Sequence, residues 1–256
     1  MLIALLTDFG TKDYFVGAMK GVILSINRNA QIIDITHEIP PQNIRTGSFN
    51  LRACYKEFPE KTIFVAVVDP GVGSERRAIL VETPKYLFIA PDNGLLSFIF
   101  DKSNGFRVFE ITNEDVFRKP ISNTFHGRDI FSPSAAHLSN GLTPNEFGNE
   151  IEDFIRFEET KPHKISDSRI EAEIIHADHF GNLITNIKKK DLPEKFVLKI
   201  GEKRIEKLQK CFSAAGKSEI FMIFGSAGFL EIVAFQDSAQ KILNAKIGDK
   251  IFAEFY

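Results

Sequence analysis

The chain contains no tryptophan, only two cysteines, and no apolar run near the roughly 20 residues that a membrane-spanning helix needs. Cys54 and Cys211 lie far apart in sequence, which supports neither a disulfide framework nor the paired spacing of a cysteine zinc site. An excess of charge is missing too: 32 Lys and Arg stand against 34 Asp and Glu, a formal net charge of −2. That balance predicts neither nucleic acid nor an anionic membrane as a partner. The opening residues, Met1-Leu-Ile-Ala-Leu-Leu-Thr-Asp8, show no basic leader and no small-residue cleavage site. They read as a strand, and the expected location is cytoplasmic. What is present is ordinary for a folded protein: 43% apolar and 26% charged residues exclude wholesale disorder, and 25 Phe predict a phenylalanine-rich core. At 256 residues there is room for one large domain or two moderate ones.

Short apolar runs alternate with helical spacing over the first part of the chain. Leu2–Leu6, Gln31–Ile35 and Thr62–Val68 read as strands, and Asp13–Ile26 and Asn43–Phe58 as helices. Further strands are expected at Ala78–Glu82, Tyr86–Ala90 and Arg107–Ile111, with a helix over Ile130–Ser139. This alternation predicts an α/β domain over residues 1-160, built on a mostly parallel sheet. The texture changes at Glu158-Glu-Thr-Lys-Pro-His-Lys-Ile165, which is polar, contains a proline and reads as a linker. Beyond it, Ile170–Ile175, Leu183–Ile187, Phe196–Ile200, Ile220–Ile223, Phe229–Phe235 and Lys250–Phe255 are β-like with little helix between them. They predict a small antiparallel, barrel-like β domain over residues 161-256.

Ligands of open α/β sheets bind beyond the carboxyl ends of the strands, so the residues that follow strand-like runs are the informative ones. Asp8 follows the first run, Asp69 follows Thr62–Val68, and Asn93 lies in Ala90-Pro-Asp-Asn-Gly94. Asp69 opens Asp69-Pro-Gly-Val-Gly-Ser-Glu-Arg76-Arg77, whose glycines permit tight turns and whose arginines can hold carboxylates. Phe125-His-Gly-Arg-Asp129 sets His126 just before a predicted helix, with Asp129 near its positive end. Each piece also has a plain structural reading, as a cap, a turn or a buried histidine. Gly-Val-Gly has neither Walker nor dinucleotide-binding spacing. In the second domain, His176-Ala-Asp-His-Phe-Gly-Asn182 carries metal-ligand residue types. Strand alternation, however, puts His176 and Asp178 on one face and His179 on the other, and a turn accounts for Asp178, Gly181 and Asn182 without an ion. Gly225-Ser-Ala-Gly228 reads as a turn between strands, and Lys188-Lys-Lys190 as a solvated strand end.

Seven segments in collinear order resemble the S-adenosyl-L-methionine hydroxide adenosyltransferase family, the adenosine-forming hydrolases related to the halide-using fluorinase and chlorinase. They are Thr7-Asp-Phe-Gly-Thr11, Ile35-Thr-His-Glu-Ile39, Val68-Asp-Pro-Gly-Val-Gly73, Ala90-Pro-Asp-Asn-Gly-Leu-Leu96, Phe125-His-Gly-Arg-Asp129, Asp178-His-Phe-Gly-Asn182 and Gly225-Ser-Ala-Gly-Phe-Leu-Glu231. The resemblance implies an N-terminal α/β domain, a C-terminal β domain, and a homotrimer whose sites lie between the N-terminal domain of one subunit and the C-terminal domain of its neighbour. The reaction it implies is nucleophilic substitution at ribose C5′, in which S-adenosyl-L-methionine and water give adenosine and L-methionine without a cofactor or metal. The family's Asp–Arg–His set falls on Asp69, Arg76 and His126, with Arg77 as the adjacent alternative. Asp8 matches the acid that binds the ribose hydroxyls, Asp178 and Ser226 match residues around the methionine moiety, and Phe180 and Asn182 lie in a segment associated with the adenosyl part.

Two departures from the fluorinase pattern bear on the chemistry. Asp69 stands where the fluorinase has a tyrosine, and a carboxylate beside the nucleophile should repel a halide. Ala227 replaces an arginine that helps hold the methionine carboxylate. The sulfonium leaves as a neutral thioether, so no general acid is needed. The nucleophile is the missing part, because water has a pKa of about 15.7. Asp69 and His126 are candidates to orient that water and accept its proton. The competing readings are a non-catalytic sensor of S-adenosylmethionine or adenosine, which needs Asp8 and Asp178 but no Asp–Arg–His set, and a metal-dependent phosphohydrolase using Asp8, Asp69 and histidines.

Overall fold

Successive residues of a strand point to opposite faces, and in β1 (Leu2–Thr7) both sets are apolar and buried. In the computed structural model, which describes residues 1–102, 105–158, 160–212 and 216–256, Ile3 and Leu5 join one core while Ala4 and Leu6 join another. The strand is therefore covered on both sides, which is why its sequence is a continuous apolar run rather than an alternating one. The chain divides into two units, Met1–Glu159 and Thr160–Tyr256.

In the first unit, β1 is followed by α1 (Phe15–Ile26), β2 (Gln31–Thr36), α2 (Ile44–Cys54), β3 (Ile63–Val67), β4 (Ala78–Glu82), β5 (Leu87–Pro91), α3 (Ser97–Lys102), β6 (Arg107–Glu110) and α4 (Ser132–Ser139). The six strands form one sheet in the order β2-β1-β3-β5-β4-β6. The pairs β1–β2, β1–β3 and β3–β5 are parallel, whereas β4 runs antiparallel to both its neighbours. Met19 and Ile23 of α1 and Ala135 and Leu138 of α4 pack on one face, while Leu51 of α2 and Phe98 and Ile99 of α3 pack on the other. The helix expected over Asn43–Phe58 is α2 followed by a 3₁₀ turn at Tyr55–Glu57, and its start is capped by Asn43, whose side chain accepts from the Thr46 N–H. The short α3 was not foreseen, because six residues are too few to display helical spacing.

The second unit contains β7 (His163–Ser166), β8 (Arg169–Ala177), β9 (Leu183–Lys188), β10 (Phe196–Ile200), β11 (Lys203–Ile205), β12 (Ile220–Phe224), β13 (Phe229–Ala234), α5 (Ala239–Leu243) and β14 (Lys250–Phe255). They make an antiparallel sheet in the order β11-β10-β14-β8-β9-β13-β12, with β7 branching onto β8. Ile174, Leu183, Leu198, Met222, Leu230 and Ile251, from six of these strands, meet in one core, so the sheet curls around it. β7 begins inside the stretch read as a linker and ends one residue beyond it; Glu159 of that stretch lies outside the described residues. Its four side chains are all exposed, and backbone pairing to β8 alone makes it a strand, which leaves no apolar signal. Among the described residues no helix is long and apolar enough to cross a membrane.

Candidate active site

Four parallel strands of the first unit end on the same edge, and the residues that follow them form a row. His37 follows β2, Asp8 follows β1, Asp69 lies just beyond β3, and Asp92 and Asn93 follow β5. Because β4 is antiparallel to β5, with Ala78 opposite Pro91, its first residue lies at this edge too, which delivers Arg76 and Arg77 there. Asn93 donates from Nδ2 to the Val68 carbonyl at 2.8 Å and so ties the ends of β5 and β3 together.

From Asp69 the chain makes a run of tight turns. The Val72 N–H donates to the Asp69 carbonyl, and the Ser74 N–H and hydroxyl both donate to the Gly71 carbonyl. Gly73 has φ +77°, and a Cβ there would overlap the Asn123 carbonyl, so no other residue fits. These turns carry Arg76 back onto Asp69. Arg76 Nε donates to Asp69 Oδ1 at 2.8 Å, and Arg76 Nη2 donates to Oδ2 in a bidentate pair. Both side chains are largely withdrawn from water, at 10% and 5% exposure. Arg77 turns the other way. It donates to Asp92 Oδ2 from Nε and Nη2 at 3.1 and 2.8 Å, and to Asp153 at 2.7 Å. The two consecutive arginines thus serve different carboxylates, and the one brought to Asp69 is Arg76.

His126 completes the cluster, with Nδ1 2.8 Å from Arg76 Nη2. A guanidinium offers only donors, so Nδ1 is the acceptor and the neutral ring carries its proton on Nε2. Burial pushes His126 below the usual histidine range and the Arg76 charge adds to this, while Asp69 and Asp129 pull partly back. Sequence left His126 free to accept a proton from water; with Nδ1 engaged, the neutral ring instead presents a donor. The Phe131 ring lies against the Arg76 guanidinium, 5.3 Å from Cζ to centroid. Asp8, on the neighbouring strand end, accepts from the Gln42 N–H at 2.8 Å. Burial pushes its carboxyl above the ordinary aspartate range, the Gln42 and Asp8 amides lower it in part, and nearby Asp69 raises it further. His37, to which sequence gave no separate role, is buried beneath this edge, with Nδ1 2.8 Å from the Thr7 hydroxyl.

In the second unit, Asp178, Phe180 and Asn182 share one turn. Asp178 Oδ1 accepts from the N–H groups of Phe180 and Asn182, and Oδ2 accepts from Asn182 Nδ2 at 2.8 Å. The turn holds Phe180 outward, 74% exposed. Ser226 is exposed at the tip of the Gly225–Gly228 turn between β12 and β13. Glu231 of β13 connects the two turns: its carboxyl lies where a Gly225 Cβ would be, and it feels the charge of Asp178. Burial and then Asp178 push it up to about 7. The signal that could have singled it out is a glutamate inside the otherwise apolar run Phe229–Phe235. Among the described residues, no group of three or more His, Cys, Asp and Glu side chains is arranged to hold a metal ion.

Comparison with known proteins bears on what these residues do. The model of the SAM hydroxide adenosyltransferase N-terminal domain matches residues 3–148, and that of the C-terminal domain matches residues 172–252. The chain is 40% identical over 266 residues to the (R)-S-adenosyl-L-methionine hydrolase of Methanocaldococcus jannaschii, covering 98% of this chain and 94% of that one. A fluorinase from Actinoplanes sp. is 30% identical over 217 residues, covering 75% of this chain and 73% of its own. Among solved structures, an uncharacterized conserved protein from Thermotoga maritima superposes with a TM-score of 0.91 at 38% identity, covering 98% of this chain and 99% of that one.

Proposed function

We propose that this chain, which belongs to the S-adenosyl-L-methionine hydroxide adenosyltransferase family, hydrolyses S-adenosyl-L-methionine to adenosine and L-methionine at Asp69, Arg76 and His126. The observation that carries the site assignment is the buried bidentate Asp69–Arg76 pair with His126 Nδ1 on the same guanidinium, one strand from Asp8. The nucleophilic water donates one hydrogen bond to a remaining lone pair of Asp69 and accepts one from His126 Nε2–H. Its oxygen is thereby fixed for in-line attack on ribose C5′. The C5′–O bond forms as the C5′–S bond breaks, the sulfur keeps the bonding pair as a neutral thioether, and the water proton passes to Asp69 and then to solvent. Arg76 holds Asp69 in place and, together with the substrate's sulfonium, favours negative charge developing on the oxygen. The scheme needs no metal or cofactor.

Asp8 binds the ribose hydroxyls, whose donated hydrogen bonds offset its desolvation. Asp178 and Ser226 hold the methionine end, and Phe180 and Asn182 the adenosyl part. The working assembly in this reading is a homotrimer with sites shared between subunits, to which the 74% exposure of Phe180 lends support. A cytoplasmic location suits two cysteines that form no disulfide.

The test is incubation of chelator-treated protein with each sulfonium epimer of S-adenosylmethionine in ¹⁸O-water, read by mass spectrometry. Heavy oxygen at C5′ of adenosine, with methionine released, is the expected result. Recovery of intact substrate from a saturated complex would move the assignment to a sensor. Mixing an Asp69→Asn variant with an Asp178→Ala variant under subunit exchange should restore activity, and no recovery despite exchange would place the site within one chain.

A further inference from the structure

Asp129 has no part in the chemistry above, yet few side chains are held more firmly. It is fully buried and four donors reach it. Oδ1 accepts from Arg128 Nε at 2.7 Å and Arg118 Nη1 at 3.2 Å, and Oδ2 accepts from Arg128 Nη2 at 2.8 Å and the Ser122 N–H at 2.9 Å. Its own carbonyl accepts from the Arg118 N–H at 2.9 Å. These contacts fasten residues 118–122 to Gly127–Phe131, which is wound as a π-helical turn and closed by the Ser132 N–H donating to the Gly127 carbonyl.

The winding of this turn decides what reaches Arg76. In an α-helix, residues five apart lie about 140° apart around the axis, as follows from 3.6 residues per turn. A turn closed by i→i+5 bonds brings such residues to the same side. His126 and Phe131 are five apart, and both meet one guanidinium, the first through Nδ1 at 2.8 Å and the second through its ring face at 5.3 Å. An α-helical path would swing one of them away and deprive the Arg76 guanidinium of that contact.

We propose that Asp129 is a positioning residue for the hydrolysis: its carboxylate keeps residues 127–131 in the π-turn that converges His126 and Phe131 on Arg76. The proposal rests on the reading of Asp69, Arg76 and His126 as the reacting set. The charged groups that act on His126 are Arg76, Asp69 and Asp129, so Asp129 affects the ring through its charge as well as through the turn it holds.

Two variants test it, Asp129→Asn, which keeps the shape and removes the charge, and Arg128→Met, which removes the cation that makes two of the four hydrogen bonds to the Asp129 carboxylate. Each is measured by steady-state kinetics, thermal unfolding and NMR titration of the His126 ring. Both should lose about tenfold or more in kcat with KM within about twofold, since a misplacement of about 1 Å can cost ~10²-fold. The His126 titration should move down in Asp129→Asn, which loses an anion that raises it. Arg128→Lys should recover part of kcat. Should Asp129→Asn not fold, Arg128→Met carries the test. A folded variant with parental kcat overturns the proposal, whatever its stability, because a purely structural ion pair behaves that way; so does an unmoved His126 titration in Asp129→Asn. The titration needs no substrate. If Asp69→Asn and His126→Ala leave turnover intact, the catalytic reading falls, while a shifted His126 still reports the clamp.

Discussion

Replacing Glu231 by glutamine should stabilise the second unit at alkaline pH and do almost nothing near pH 4. The carboxyl is half-buried against Gly225, no donor or cation is paired with it among the described residues, and Asp178 adds like charge. Its pKa rises from an ordinary 4.5 to about 7. A raised folded-state pKa means that the native chain holds a proton which the unfolded chain has released, so the contribution is full below about pH 4.5 and is lost as pH rises through 7. At about 1.4 kcal/mol per pH unit, that interval sets a ceiling of ~3 kcal/mol. Partial contact with water screens the charge and reduces the net cost to about 1–2 kcal/mol. Glutamine keeps the shape and cannot ionise. Urea unfolding of both proteins, followed by far-ultraviolet circular dichroism at about pH 4 and about pH 8.5, should give almost no difference at the first and a gain of about 1–2 kcal/mol for the variant at the second. An equal difference at both values, or a loss at the higher one, would refute the assigned environment of Glu231.

Asp69→Asn should lower turnover by about 10²–10⁴-fold, the usual range for loss of a proton-accepting group, while adenosine binding measured by calorimetry stays within about threefold. Parental turnover in that variant would remove Asp69 from the reaction. Arg77→Ala leaves Asp92, 3% exposed, without its cation. It should cost about 3 kcal/mol of stability in denaturant with kcat little changed, whereas Arg76→Ala should abolish turnover; the reverse pattern would exchange the two roles. Because His126 is held below the usual histidine range, kcat should stay level to a lower pH than an ordinary histidine would allow, and fall as the pH drops further. Protonation puts a donor on Nδ1 facing the Arg76 donor, so a pH–rate profile with no acid limb would contradict the hydrogen bond between them.

Much of the framework was legible because burial leaves a simple trace. β1 and β3 are covered on both faces, and their continuous apolar runs announced it. The direction of β4 was not legible, since alternation gives a strand but not its sense. The same limit concealed how Arg76 and Arg77 divide their work. Adjacent and chemically identical, they are told apart only by carboxylates at residues 69, 92 and 153, which the topology brings to one edge. The π-turn was hidden for a related reason: the apolar spacing after Ile130 suits a helix, and nothing in it distinguishes i→i+5 from i→i+4 closure at Gly127–Phe131. The Asp178 turn could be read directly, because Asp, Gly and Asn at those offsets are turn chemistry wherever they occur.

The Asp69–Arg77 segment acts as a ruler. Its side chain at Glu75 is exposed and could be varied, but its length could not. One inserted residue would shift the chain entering β4 by one position, offering Arg76 to Asp92 and pushing Arg77 into the buried place of Ala78. Asp69 would then lose its guanidinium and stand as a buried carboxylate without a matched cation. Two adjacent arginines give the protein no redundancy; they make the spacing of the loop a quantity that must be counted to the residue.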